Sequence, residues 1–255
     1  MTQEAEARLV GILFTDGCVS PKGNSWRLTL SNNSPAIVDA FEEAVAACYG
    51  LPIRRTVRGK LHVGVLDSQE VGRLLIERYG TFRTEGCRSH KGCPYLRGGP
   101  KPCRQCAPVD FDDISYPPAS LPIFSSDGEV AAFLQSAFSC DGSVNLYLAY
   151  RGQSSWLIRN VYLACKHPVL IFQYVRLLDR LGIAARVNQA DWRVMIQGRD
   201  HIQRFADLVG FLPGSVIGAN SPFSHGRCKS EVLKLLLESY GCPQRIRDLP
   251  QFLRT

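Results

Sequence analysis

Two aspartates, each followed by glycine and preceded by an apolar run, are the residues of this sequence best suited to chemistry. The first run reads LVGILFTDG and ends at Asp16-Gly17, and the second reads LQSAFSCDG and ends at Asp141-Gly142. Such apolar runs predict buried helices, and two of them packed side by side would bring both carboxylates together at one end. Paired carboxylates can hold divalent cations for phosphodiester chemistry.

A similar series of elements follows each run, so the sequence predicts an internal repeat. Alternating polar and apolar residues predict strands, glycines end the predicted helices, and Cys18–Asn24 is rich in turn residues. For the first half, the predictions are a strand at Ser25–Ser31, a helix from Pro35 to Gly50, a hairpin at Ile53–Leu66 and a helix at Glu70–Tyr79. For the second, they are a hairpin at Val144–Tyr150 and Leu157–Cys165, a helix at Pro168–Leu181, a hairpin at Ile183–Gln197, and helices at Asp200–Val209 and Ser230–Tyr240.

Composition and charge indicate a globular protein with a core and a basic surface. The chain has 255 residues, of which 45% are hydrophobic, and a net charge of +7. A chain of this kind can bury a core, and its charge suits a polyanionic partner. No apolar run is long enough for a membrane span, and the polar, acidic start is unlike a signal peptide, so we expect an intracellular protein, either cytoplasmic in a prokaryote or organellar. The predicted domains are 1–106 and 127–255, with a linker rich in Pro, Asp and Ser at 107–126.

The two motifs and the repeated αββαββα order resemble the LAGLIDADG homing endonucleases of the monomeric, two-repeat type. The first motif agrees with the family consensus at Leu9, Gly11, Asp16 and Gly17, whereas the second has Gln135 and Ser136 where Ala and Gly are usual. The resemblance implies an α+β fold of two pseudo-symmetric repeats, each with a saddle-shaped antiparallel sheet, joined by a seam of two helices. It also implies a free-standing, intron-encoded enzyme that cuts a long, non-palindromic DNA duplex and leaves short 3′ overhangs.

The resemblance further implies a metal site and its auxiliary residues. Asp16 and Asp141 would bind Mg²⁺, with Mn²⁺ or Ca²⁺ substituting in binding, and the backbone carbonyls of Thr15 and Cys140 would assist. Each acid would serve cleavage of one strand. The polar residues at the ends of the second strands would be Asn32 and Lys166. The basic residue at the start of the last helix of the second half would be Lys229, with Arg227 as the next candidate. In the first half, cysteines flank the corresponding stretch, Arg88–Lys91, so no basic residue is assigned there.

The polar faces of the predicted strands are candidates for reading DNA. Arg, Asn and Gln can bind base edges bidentately in the major groove, and Lys and Arg at hairpin tips suit phosphates. Acidic residues are scarce on these faces, which favours a DNA-binding surface over an ordinary solvated one. The apolar face of the first sheet is predicted to carry Val57 and Val63 among others. The predicted contacts are Arg27, Thr29, Arg54, Thr56, Arg58, Lys60, His62, Asn145, Tyr147, Arg151, Asn160, Tyr162, Arg186, Asn188, Arg193 and Gln197.

Four of the ten cysteines cluster in a short basic insert at residues 87–106. They are Cys87, Cys93, Cys103 and Cys106, and the last two have a Cys-x-x-Cys spacing. Four thiolates on one structural Zn²⁺ would hold this segment together, two disulfides would do the same, and free thiols are the third possibility. Cys228 and Cys242 are a further candidate pair.

Two other classes of function fit the same resemblance. An RNA maturase would assist intron splicing without cutting, and a DNA-binding regulator would bind without catalysis. Because both Asp16 and Asp141 are present, we expect the chain to cleave double-stranded DNA, and the two motifs in one chain predict a monomer.

Overall fold

A computed structural model describes residues 3–80, 82, 120–151, 154–167, 169–218 and 224–246. The candidate zinc or disulfide cysteines and linker residues 107–119 lie outside this part of the chain. The first half comprises α1 (Gln3–Phe14), β1 (Gly17–Lys22), β2 (Ser25–Asn32), α2 (Pro35–Tyr49), β3 (Arg54–Arg58), β4 (Leu61–Asp67) and α3 (Gln69–Tyr79). The second half comprises α4 (Asp127–Asp141), β5 (Gly142–Arg151), β6 (Ser154–Ala164), α5 (Leu170–Arg180), β7 (Ala185–Asn188), β8 (Arg193–Ile196), α6 (Arg199–Leu208), α7 (Lys229–Glu238) and β9 (Arg245–Ile246).

Each half folds around one antiparallel sheet. The strand order is β1-β2-β4-β3 in the first sheet and β5-β6-β8-β7 in the second, where β9 also pairs with β6. The predicted α+β architecture of two αββαββα repeats is therefore confirmed. One strand was not predicted: most of Cys18–Asn24, which is rich in turn residues, belongs to β1, which pairs with β2 across a tight turn.

The two halves meet along a seam formed by α1 and α4. A Cβ added at Gly11 would lie 2.5 Å from the backbone oxygen of Phe133 and 3.0 Å from the Cβ of Ser136. The two backbones can approach this closely only because residue 11 lacks a side chain. Ser136 fills the opposite side of this contact, and its hydroxyl is buried without a hydrogen-bond partner among the described residues.

One face of each sheet packs against the helices and supplies much of the core. In the first half, Leu28 and Leu30 are fully buried, and α2 adds Phe41; in the second half, Val161 and Leu163 are fully buried, and α5 adds Tyr174. Burying side chains of this size contributes roughly 1.5–3 kcal/mol each. The opposite face of each sheet, its open face, is not covered by these helices.

None of the described helices is long and apolar enough to cross a membrane.

The chain after α7 is anchored to the second sheet by Arg159. Its guanidinium donates to the hydroxyl and carbonyl oxygens of Ser239 at 2.9 and 2.6 Å and to the carbonyl of Cys242 at 2.8 Å, and it lies 4.8 Å from the ring centre of Tyr240. Both Cys228 and Cys242 are free thiols, so the candidate pairing between them is wrong.

Candidate active site and nucleic-acid interface

Asp16 and Asp141 lie at the same end of the two seam helices and line the same cavities. One cavity of about 440 Å³ is bordered by Asp16, Asp141, Lys166 and Cys165. A second, of about 780 Å³, is bordered by the two aspartates, Asn32 and Lys229, and extends over the open face of the second sheet. The structure thus brings together all five predicted catalytic residues.

Asp16 is oriented through its side chain. The amide nitrogen of Asn32 donates to the Oδ2 of Asp16 at 2.5 Å, and the amide oxygen of Asn32 accepts the backbone N–H of Ser34 at 2.7 Å. Asn32 therefore connects the carboxylate to the start of α2. A side chain held at both ends of its amide group has little freedom, so it keeps the carboxylate in one orientation.

Lys166 borders the site, but it is not the structural counterpart of Asn32. Gly17 pairs with Leu30 in the first sheet, and Gly142 pairs with Leu163 in the second, so Asn32 corresponds to Cys165 and Lys166 to Asn33. The predicted equivalence is wrong by one residue. Cys165 is buried, its thiol donates to the His167 carbonyl at 3.9 Å, and burial raises its pKa to about 12. Lys166 is exposed at the cavity wall.

Lys229 is the first residue of α7 and is only 3% exposed. Its ammonium donates to the carbonyl oxygens of Ser139, Gly142 and Phe138 at 2.5, 2.7 and 3.3 Å. These carbonyls belong to the end of α4 and the residue after it, where the helix dipole is negative and a cation is stabilising. Burial lowers the Lys229 pKa to about 8, although the nearby thiol and carboxylates oppose this shift.

Thr15 and Cys140, which precede the two aspartates, meet across the seam. The Thr15 hydroxyl donates to the backbone oxygen of Gly11 at 2.9 Å and also contacts the Cys140 thiol. Burial raises the pKa of that thiol well above its usual value, and the charge of Asp16 reinforces the shift. Cys140 is therefore held as a neutral thiol beside the carboxylates.

The donors at this site suit a hard divalent cation. Carboxylate and carbonyl oxygens are the ligands that Mg²⁺ prefers, and Mg²⁺ sites commonly use one or two carboxylates completed by water and substrate phosphate. No group of three or more His, Cys, Asp or Glu side chains that could hold a metal occurs among the described residues. Asp16 and Asp141 therefore fit a cation shared with a phosphate better than a closed protein site.

The open face of the first sheet carries most of the residues predicted for it. The register places Arg27, Thr29, Arg54, Thr56 and Arg58 on this face, and Lys60 lies in the turn between β3 and β4. His62 is not on it. Arg58 pairs with Leu61, so the two-residue turn reverses the alternation: His62 and Val57 lie on the side that faces the helices, and Val63 faces the open side. Val57 is nevertheless 65% exposed, so the prediction that it packs against the helices is wrong.

Asp67 is an acid on the open face that the sequence analysis missed. It accepts hydrogen bonds from Arg27 at 2.7 and 2.9 Å and lies 3.6 Å from Lys22 and 3.7 Å from Arg54. Its bond to Arg27 lowers the Asp67 pKa to about 2. Asp67 lies on this face for the same reason that His62 does not, because the turn after Arg58 reverses the alternation of β4.

The open face of the second sheet presents amides and aromatic rings. Asn145 donates to Asn160 at 3.0 Å, and the guanidinium of Arg193 lies 4.4 Å from the ring centre of Tyr162. Asn188, the last residue of β7, donates to Asp191 and accepts the backbone N–H of Ala190 in the following turn. Of the other predicted contacts, Tyr147 and Arg186 share this face, Arg151 ends β5, and Gln197 follows β8.

The sequence analysis also missed one wall of the larger cavity. Val216, Ile217, Gly218 and Ser224, from the segment between α6 and α7, border it beside Lys229. Nothing in the local sequence pattern marks this segment, because its position depends on contacts with α2 and α4.

These features agree with the fold of two repeats, with an acidic centre at the seam, that the resemblance to LAGLIDADG proteins implies. Residues 128–210 match the family of LAGLIDADG-like domains, so the match falls on the half whose motif departs further from the consensus. The match shows a LAGLIDADG-like domain in the second half and covers about a third of the chain. No curated protein matches this chain.

Two solved structures share the whole fold. I-DmoI, in a complex with DNA and Ca, is 14% identical, with a TM-score of 0.51 over 92% of this chain and 98% of that one. Full-length DUF199/WhiA from Thermatoga maritima is 12% identical, with a TM-score of 0.50 over 94% of this chain and 62% of that one. At such identities the likeness establishes the fold alone.

Proposed function

We propose that this chain is a divalent-metal-dependent endonuclease that cuts both strands of a long, non-palindromic DNA duplex. The observation that carries the proposal is the placement of Asp16 and Asp141 at one end of the seam, lining shared cavities between two open sheet faces. A bound Mg²⁺ would supply an activated water and would stabilise negative charge on the phosphate. Asp16 and Asp141 would hold the cation, with the carbonyls of Thr15 and Cys140 assisting.

The other residues of the site would divide the remaining work. Asn32 would keep the Asp16 carboxylate in orientation through its 2.5 Å hydrogen bond. Lys166, exposed at the cavity wall, would face the negative charge that develops on the phosphate. Lys229 would fix the backbone on both sides of Asp141, since its ammonium is engaged by three carbonyls.

The two open faces would hold the DNA. Arg54 and Arg58 are exposed and suit phosphates, whereas Asn145 and the stacked Arg193 suit base edges. Asn160, which was also predicted as a contact, is only 3% exposed and accepts the hydrogen bond of Asn145, so it would hold Asn145 rather than reach a base. I-DmoI, which has the same fold, was solved in a complex with DNA. The resemblance stated above supplies the remaining features of the proposal, namely short 3′ overhangs, intron homing and a monomeric enzyme.

A randomised duplex library tests the proposal. Incubated with Mg²⁺, the full chain is expected to cut a small set of sequences in both strands, and the Asp16→Asn/Asp141→Asn double variant is expected to cut none. Asp39→Asn is a matched control, because it makes the same change in an acid paired with Arg55 on the packing side of the first sheet. Equal cutting by the double variant would refute the proposal.

The second candidate is a DNA-binding protein that does not cut. The observation that favours it is the match to DUF199/WhiA, which shows that the fold is not confined to proteins named as endonucleases. Tight, sequence-selective duplex binding in Ca²⁺ without cleavage in Mg²⁺ or Mn²⁺ would support this candidate. Selective binding of a structured intron RNA would instead support the maturase.

A further inference from the structure

The segment between α6 and α7 crosses from the second half of the chain to the first. We call residues 209–218 and 224–229 the clasp. It first follows α4, where Gln135 donates to the carbonyl of Val209 at 2.9 Å and the Ser139 hydroxyl accepts the N–H of Leu212 at 2.7 Å. The clasp is thus fixed to the seam helix that ends at Asp141.

The clasp then contacts α2 of the first half. The hydroxyl of Ser34, which is 1% exposed, donates to the carbonyl of Gly214 at 3.2 Å. Gly214 has a φ of +76°, and a Cβ added there would lie 3.2 Å from that of Ala36. Glycine therefore permits both the left-handed backbone and the close approach to α2 at this point.

The two ends of this connection lie beside the two acids. On one side, the N–H of Ser34 binds Asn32, which binds Asp16. On the other, Lys229 donates its backbone N–H to Ser215 at 2.9 Å and its ammonium to the carbonyls on both sides of Asp141. A continuous series of short polar contacts therefore runs from one acid to the other through Gly214 and Ser215.

We propose that the clasp fixes Asp16 and Asp141 relative to each other, and that Ser34 and Lys229 are positioning residues for cleavage. This inference rests on the proposed endonuclease function. Both side chains are buried. The three N–H groups of Lys229 are matched by three carbonyls, and the Ser34 hydroxyl donates to Gly214, so neither side chain has a donor left for the DNA. A displacement of about 1 Å in a reacting group can slow a reaction about 100-fold.

Cleavage resolved by strand tests the proposal on a duplex selected by the wild-type chain. Ser34→Ala is expected to slow the strand served by Asp16 about tenfold, and Lys229→Met to slow the strand served by Asp141 about 100-fold. Each variant should then accumulate duplex nicked in the opposite strand, while duplex affinity in Ca²⁺ stays within about twofold. An equal slowing of both strands by Ser34→Ala or by Lys229→Met, or a parallel loss of affinity in either variant, would overturn the proposal.

Two controls separate positioning from general destabilisation. Lys234→Met makes the same change at an exposed position of α7, and Ser68→Ala removes a helix cap from α3, and both should keep the wild-type ratio of strand rates. Gly214→Ala displaces the clasp without changing either positioning residue and should slow both strands. If Lys229→Met does not fold, the proposal is tested with Gly214→Ala and Ser34→Ala instead.

A thermal unfolding cycle tests the clasp independently of cleavage. The Tm of Ser34→Ala, Lys229→Met and the double variant should be non-additive, because both single changes release the same segment. If the wild-type chain cuts no duplex, the endonuclease function fails, and a non-additive cycle still supports the clasp. An additive cycle would overturn the clasp whatever the outcome of the cleavage assay.

Discussion

The two acids occupy equivalent positions in the two repeats, yet different contacts hold them. Asp16 receives a hydrogen bond on its carboxylate from Asn32, whereas Asp141 lies in a stretch of backbone that Lys229 binds through carbonyls on both sides. The strand position that holds Asn32 in the first half holds the buried Cys165 in the second. The comparison teaches that the seam sets where the acids lie, while each repeat has its own means of holding them.

The largest difference between the halves should be in the stability of variants at the seam, where Gly11 of α1 faces Ser136 of α4. Gly11→Leu places a side chain where a Cβ would already lie 2.5 Å from the Phe133 oxygen. We expect it to destabilise the fold by about 3 kcal/mol or more, since overpacking a tight core costs 1–3 kcal/mol and sometimes more. Ser136→Ala, on the other side of the contact, removes a buried hydroxyl without a partner among the described residues and should be neutral or slightly stabilising. Urea unfolding measures both, and equal destabilisation would contradict this account.

The next difference concerns the residues that follow the second strand of each repeat. Lys166→Ala should slow cleavage about 10- to 100-fold without lowering the Tm, because an exposed cation at the cavity wall is lost. Asn33→Ala, at the equivalent exposed position, should change the rate less than threefold. Single-turnover rates at saturating duplex distinguish the two. A larger effect of Asn33→Ala than of Lys166→Ala would contradict the assignment of the auxiliary role to Lys166.

On the open face of the first sheet, the Asp67 carboxylate holds cations that could otherwise bind DNA phosphates. Asp67→Asn releases Arg27, Lys22 and Arg54 from their shared carboxylate and should raise duplex affinity about three- to tenfold at low salt. Titrations at several salt concentrations should also give a steeper salt dependence. Asp39→Asn changes the charge equally on the packing side and should have a smaller effect; equal gains from both variants would mean that only net charge matters.

The smallest expected effect is a pH dependence of stability that arises at the start of α5. There His167 occupies the position that Ser34 occupies before α2. The Nδ1 of His167 accepts the N–H groups of Val169 and Leu170 at 3.2 Å, and burial lowers the His167 pKa. A lowered pKa means that the unfolded chain binds this proton more readily. The protein should therefore lose stability as the pH falls from about 6.5 towards the folded pKa of His167. His167→Asn keeps an acceptor that does not titrate, so an unchanged acid slope in urea unfolding would contradict this assignment.

Much of the fold could be predicted because the repeat, the apolar spacing and the helix stops agree with one another. The positions of Asp16 and Asp141 followed from two copies of one local pattern. The face of His62 could not be obtained by counting alternate residues, because the two-residue turn after Arg58 reverses the alternation. The clasp could not be predicted, because the contact between Ser34 and Gly214 joins distant parts of the chain and depends on how the halves pack.

The most direct test of the central claim is strand-resolved cleavage of one selected, end-labelled duplex by Asp16→Asn and Asp141→Asn. Each variant removes one carboxylate from the shared centre while leaving the seam and both open faces in place. The account predicts that either variant loses double-strand cutting, and that any residual nicking falls on opposite strands in the two variants. Double-strand cutting at the wild-type rate by both variants would contradict it.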